Sequence, residues 1–193
     1  MVTSNKDLMT QARESLSGKW GLAVGTYIVY VLIVGAVSGI PFGILILGGA
    51  LILGIKTFWL AFARKEEAKL EMIFSGFKSF GNALLLYLLR AIFVFLWSLL
   101  LFIPGIIASI SYAMAYFIMS DDPNIGAMDA IDKSKKMMYG YKWKFFFLCC
   151  RFIGWFILGF LSLGIGFLWI IPYMNTSFAK FYEDVKANFI VVQ

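Results

Sequence analysis

From Gly21 to Ile40 the chain carries no charged residue. A helix needs about 20 predominantly apolar residues to cross the hydrocarbon core of a bilayer, so this run predicts a first span. Pro41, Phe42 and Gly43 predict a turn, because proline restricts the residue before it and glycine accepts unusual dihedrals. A second span follows from Gly43 to about Ala63. The apolar block from Ala83 to Met119 is too long for one crossing at about 1.5 Å per residue, and Pro104 and Gly105 divide it into two spans, the second short. Phe145 to about Leu163 predicts a fifth span, and Gly164 to about Ala179 a sixth that Pro172 interrupts.

A water-soluble fold could not hide this much apolar surface. The chain is 61% hydrophobic and 15% charged, against about 45–50% apolar and 25% charged in soluble domains. Lipid leaves every backbone polar group to be satisfied internally, which allows helices or closed barrels, and the runs lack a barrel's alternation. The expected fold is therefore all-α: a polytopic membrane helical bundle of six transmembrane helices in three hairpins, one domain over residues 1–193. The net charge of +6 does not point to nucleic acid, because the basic residues sit in short segments between apolar runs. Cys149 and Cys150 are adjacent inside such a run, which excludes a disulfide framework and suits two small core residues.

Charge placement predicts the topology. Lys6, Arg13 and Lys19 precede the first span; Arg64, Lys65, Lys69 and Lys78 follow the second; Lys133, Lys135, Lys136, Lys142 and Lys144 follow the fourth; Lys180 and Lys186 lie in the tail. The connections around Pro41, Pro104 and Gly164 carry no charge. By the positive-inside rule the charged segments and both termini are cytoplasmic. Trp20 and Trp143 stand where interfacial anchors belong. Charges among the first residues argue against a cleaved signal, so the first run is expected to persist as an anchor.

A similar unit recurs three times: a polar stretch, a glycine with a lysine and an aromatic nearby, then a hairpin. Its markers are Ser17-Gly18-Lys19-Trp20, Ser75-Gly76-Phe77-Lys78 and Tyr139-Gly140-Tyr141-Lys142, with the glycines 58 and 64 residues apart by residue number. Before each glycine, apolar residues recur at helical spacing: Leu8, Met9, Ala12, Leu16; Ala68, Leu70, Ile73, Phe74; Ile125, Met128, Ile131, Met138. These read as amphipathic helices on the cytoplasmic interface, with Asp122 or Asn124 capping the third and Pro123 in its first turn. The pattern fits a threefold repeat over residues 1–63, 64–120 and 121–193, and also three unrelated hairpins, which all carry glycine and lysine near an interface. Gly21 with Gly25, Gly35 with Gly39, Ala50 with Gly54 and Ser111 with Ala115 place small residues one helical turn apart, as close packing requires.

Catalytic chemistry finds little to work with. The chain has no histidine, and every Asp and Glu lies outside the spans, so a histidine base, a histidine-ligated metal and an intramembrane carboxylate relay are all missing. Asp121 and Asp122 read as a solvated helix start. No enzyme activity, cofactor or metal site is expected. Three cations remain inside apolar runs: Lys56, Arg90 and Arg151. Each stands about seven or eight residues from the charged edge of its span, roughly 10 to 12 Å at helical rise. Either each snorkels separately to the headgroups, with Arg90 the hardest to explain so, or the three share an anionic ligand such as a lipid headgroup or a transported anion. In the sixth span, Tyr173, Asn175, Thr176 and Ser177 either satisfy carbonyls around Pro172 or line a polar path. Pro41, Pro104, Gly105 and Pro172 are the expected hinge or turn positions.

Leu96 to Ile106, reading LWSLLLFIPGI, then Tyr112, Tyr116, Asp122 and Pro123, then Ser134, Met137, Met138 and Gly140, then Phe152 to Trp155 as FIGW, and finally Pro172, Tyr173, Phe181 and Tyr182 resemble the bacterial membrane protein family catalogued as domain of unknown function 975. The likeness covers nearly the whole chain. It implies a bacterial plasma-membrane protein and brings no catalytic residue. The residues then favour a non-enzymatic scaffold or accessory module that binds anionic lipid, a protein partner or a second copy. The alternative is a small transporter or channel for an anionic or lipidic solute.

Overall fold

The computed structural model of the protein describes residues 3–100 and 102–192. The described residues form helices and turns, with no strand among them. Helix α1 (Asn5–Leu16) begins where the Ser4 hydroxyl accepts from the Asp7 N–H, and its Leu8, Ala12 and Leu16, spaced one turn apart, are all buried. An N-cap of this kind satisfies one of the amide donors that a helix start leaves free. Gly18, with φ +75°, then turns the chain into α2 (Trp20–Ser38). Helix α3 (Gly43–Arg64) returns alongside it, and Pro41 lies in the turn between them. A 3-10 segment, Leu70–Ser79, leads into α4 (Phe80–Leu100).

The second hairpin returns in two pieces, α5 (Phe102–Ser111) and α6 (Ala115–Asp121), with a break at residues 112–114. Then come α7 (Ala127–Met137), α8 (Lys142–Arg151), α9 (Ile153–Leu161) and α10 (Phe167–Val192). Five stretches are long and apolar enough to cross a membrane: Trp20–Ser38, Gly43–Arg64, Leu70–Leu99, Ile103–Asp121 and Lys142–Leu161. They fit a membrane-embedded protein. The expected sixth span is not among them. Helix α10 runs unbroken through Pro172, but Lys180, Glu183, Asp184 and Lys186 make its second half polar.

Other expectations need correction. Pro104 and Gly105 lie within α5 (Phe102–Ser111) rather than between two helices. A Cβ on Gly105 would collide with Ser98, so this glycine brings α5 against α4. The second amphipathic stretch is a 3-10 helix lying against α3, with Ile73 buried and Leu70 and Phe74 exposed. Helix α7 starts at Ala127 behind an uncapped Gly126, while Asp122 instead accepts from the Asn124 N–H in a local turn, which leaves Pro123 outside the helix. Asp121 ends α6 rather than starting a helix.

Inside and outside separate by helix. Leu32 of α2, Leu99 of α4 and Leu161 of α9 are exposed, whereas α3 from Ala50 onward and all of α6 from Ala115 to Met119 are largely buried. The return helices α3, α6 and α10 thus form the centre, around Phe58, Trp59, Phe62, Phe117 and Phe181. Each segment before a hairpin packs on the return helix of the hairpin before it. Leu70–Ser79 lies on α3 and α7 lies on α6 and α4, while α1, at the start of the chain, lies on α10 at its end.

Glycine closes the first of these contacts. A Cβ at Gly54 would overlap the Ile73 carbonyl, and one at Gly76 would overlap that of Ala50. Gly54→Ala is therefore expected to lower stability by about 1–3 kcal/mol, the usual cost of overpacking a tight core. Gly25→Ala, which meets open space, should leave it unchanged. Chemical unfolding of both variants in detergent checks this, and equal midpoints would refute it.

Candidate anion-binding site

Two of the three cations in apolar runs come together. Helix α3 carries Lys56, α4 carries Arg90, and α6 lies between them with adjacent rings, one facing each charge. The Lys56 ammonium sits 5.2 Å from the Phe117 ring centre, and the Arg90 guanidinium sits 5.6 Å from that of Tyr116. Lys56 Nζ also donates to Asn175 Oδ1 of α10 at 2.7 Å. No carboxylate pairs with either among the described residues. Ring faces attract cations, more strongly where water is excluded, but they leave the positive charge unneutralised. Arg90 also faces an open cavity of about 380 Å³, with Tyr87, Ser109 and Tyr116 as its polar lining and Ile52, Val94 and Phe95 as apolar walls.

Helix α6 packs on α3, with Phe117 against Lys56 and Tyr116 against Arg90 of α4. The Thr57 and Ser120 hydroxyls hydrogen-bond across the same contact.

Arg151, the third cation, lies exposed at the end of α8 and takes no part in this group. Of the polar residues in α10, only Asn175 joins it. Thr176 and Ser177 are buried and donate to carbonyls of their own helix, those of Pro172 and Tyr173, and the Asn175 amide donates to Ile171. Tyr173 faces the rings of Phe152 and Trp155. Asn175, Thr176 and Ser177 thus each donate to a carbonyl of their own helix four residues back.

A charged network at the other end of the return helices was not legible in advance. Asp121 of α6 accepts from Arg64 of α3 at 2.5 Å, and from Tyr182 at 2.6 Å and Lys186 at 2.5 Å, both of α10. Arg64 also binds Glu183 at 2.9 Å. Both oxygens of Asp121 are thus engaged by protein donors. Nearby, Asp184 binds Lys144 at 2.7 Å and accepts from the Thr3 amide and hydroxyl, which ties the chain's start and α8 to α10. One signal was available. Arg64, Asp121 and Lys186 follow Gly18, Gly76 and Gly140 by 46, 45 and 46 residues, by residue number.

The model for the family described as "Protein of unknown function (DUF975)" matches residues 1–107 and 99–189, and the chain belongs to that family. No curated protein and no solved structure matches it.

Burial works against a charged Asp184, but the hydrogen bonds from Lys144 and Thr3 outweigh it and hold this carboxyl below its ordinary range. A depressed folded pKa contributes stability above the unfolded value, and that stability is lost as pH falls through the folded one. Asp184→Asn should therefore lower stability by about 2 kcal/mol at neutral pH, the scale of a charge-assisted hydrogen bond. The gap to the unsubstituted protein should vanish in acid. Thermal unfolding across pH measures it, and a gap that persists in acid would contradict the assignment.

Proposed function

We propose that the protein is a non-enzymatic, multi-pass membrane module that holds one anionic headgroup against Lys56 and Arg90, with its charged segments and both termini on the cytoplasmic side of a bacterial plasma membrane. The observation that carries the reading is two cations set over the adjacent rings of Phe117 and Tyr116 with no carboxylate partner among the described residues, one of them facing an open cavity. A cation at the centre of a membrane helix costs about 2.5–3.5 kcal/mol on insertion scales. A phosphate or carboxylate in the cavity would neutralise the guanidinium while Ser109 and the tyrosine hydroxyls complete its hydrogen bonds.

The helix arrangement supports a three-unit ring. Each unit is a short amphipathic segment followed by a hairpin, and each segment docks on the return helix of the unit before it, so that α1 on α10 closes the circle. Gly18 and Gly140 both adopt positive φ at the joint that leads into an outgoing helix. Gly76 departs from them and serves close packing on α3 instead. On this reading the ring sets three return helices around one axis, and the Lys56–Arg90 pair lies where two of them meet an outgoing helix.

A second reading, transport of an anionic or lipidic solute, draws on the Lys56–Asn175 hydrogen bond, which extends the polar group from the cavity to α10. The two readings separate in reconstituted vesicles. The module predicts about tenfold weaker retention of anionic lipid in Arg90→Gln, worth about 1.4 kcal/mol, with no solute flux in either protein. Flux that Arg90→Gln abolishes would establish the transport reading. Unchanged lipid retention in Arg90→Gln and in Lys56→Gln, without flux, would dismiss both.

A further inference from the structure

Three seams run between the return helix of one hairpin and the outgoing helix that borders it. The seam between α3 and α4 is closed at its glycines, and the cavity beside them is the polar one at Arg90. Gly49 meets the backbone of Ala83 there, and Gly48 lies against the Tyr87 ring. The other two are open.

Between α5 and α8 lies a groove of about 440 Å³, walled by Ile103, Ile106, Ile107 and Phe146 and ending at Lys142 and Trp143. Between α10 and the start of α2 lies a second, of about 210 Å³, walled by Trp155 of α9 and Trp169, Ile170 and Tyr173 of α10, with Trp20 and Arg13 completing it. The two share one plan: an apolar wall, a tryptophan at the start of the outgoing helix, and a cation beside it. Trp143, Trp155 and Trp169 are all exposed. Neither Arg13 nor Lys142 has an ion-pair partner among the described residues.

We propose that each open seam holds an acyl chain of a phospholipid, with the lipid phosphate on Arg13 in one seam and on Lys142 in the other. Complementarity in both polarity and charge selects this occupant. The walls offer only apolar contact over most of their length, which suits a hydrocarbon chain. The single positive group sits at one end, beside an indole of the kind that prefers the headgroup level. A guanidinium or ammonium there forms charge-assisted hydrogen bonds with a phosphate diester. A phosphate-free lipid would gain only the apolar contact. The Lys56–Arg90 pair borders neither seam, so this inference does not rest on the function proposed above.

Tryptophan quenching by brominated lipids tests it. With Trp97 and Trp143 replaced by Phe, the quenchable residues are Trp20, Trp155 and Trp169 of one seam, and Trp59, sealed in the core, serves as background. Brominated phosphatidylglycerol should reach half-maximal quenching at about tenfold lower mole fraction than a brominated, phosphate-free glycolipid, the scale of one charge-assisted hydrogen bond. Arg13→Gln should abolish that preference, and Arg90→Gln should leave it intact. A protein that keeps Trp143 and Trp59 but carries Phe at Trp20, Trp97, Trp155 and Trp169 reports the other seam, where Lys142→Gln should do the same. Equal quenching by the two lipids would overturn the proposal and mean ordinary annular contact. So would a preference that survives Arg13→Gln, or one that disappears only with Arg90→Gln.

Discussion

Asp121 is the joint on which the centre of the molecule depends. Its two oxygens collect Arg64 from α3 and both Tyr182 and Lys186 from α10, so one carboxylate at the end of α6 fixes the ends of all three return helices. The Tyr182 ring that donates to it is stacked on Phe117 at 5.4 Å, and Phe117 in turn lies against Lys56. The ionic end and the deeper cation pair are therefore two levels of one packed column. With a shared acceptor tying them, the separate hydrophobic contacts of α3, α6 and α10 acquire a single register.

That column explains why the hairpins are asymmetric. Outgoing and return helices have similar apolar character, and oily side chains gain little by exchanging lipid for protein. What draws α3 inward is close backbone approach at Gly54, against Ile73, and the polar groups that its far end must pair. Helices without such groups, α2 and α9 above all, keep their large side chains outward. Two of the seams between hairpins then remain as apolar grooves, because bulky isoleucines and indoles stand where the α3–α4 seam has glycine.

Much of this was legible in the residues. Uncharged runs located the helices, the Ala50–Gly54 pair marked a close contact, and Lys56 and Arg90 announced themselves as cations in apolar surroundings. Arg151 gave the same signal and yet lies exposed, because convergence depends on which faces meet, and apolar periodicity cannot show that when both faces are oily. The turn at residues 112–114 stands just before the two rings of the site, but Tyr112, Ala113 and Met114 include neither proline nor glycine to mark it. Asp121 resembled a solvated helix start because it precedes Asp122 and Pro123. Its partners stand 57, 61 and 65 residues away in the chain. The expected sixth span is not among the stretches long and apolar enough to cross, because charged positions of the central network fill the second half of its helix.

The central claim is that the hairpin tips and the charged segments lie on opposite faces of a membrane. Single cysteines introduced at Phe42, Leu163 and Tyr139, each well exposed at 74%, 93% and 83%, in a protein whose Cys149 and Cys150 are replaced by Ala, test it in intact cells with an impermeant thiol reagent. The account predicts that positions 42 and 163 label from outside and that position 139 labels only after the membrane is opened. Labelling of position 139 in sealed cells, or protection of either tip, would contradict it.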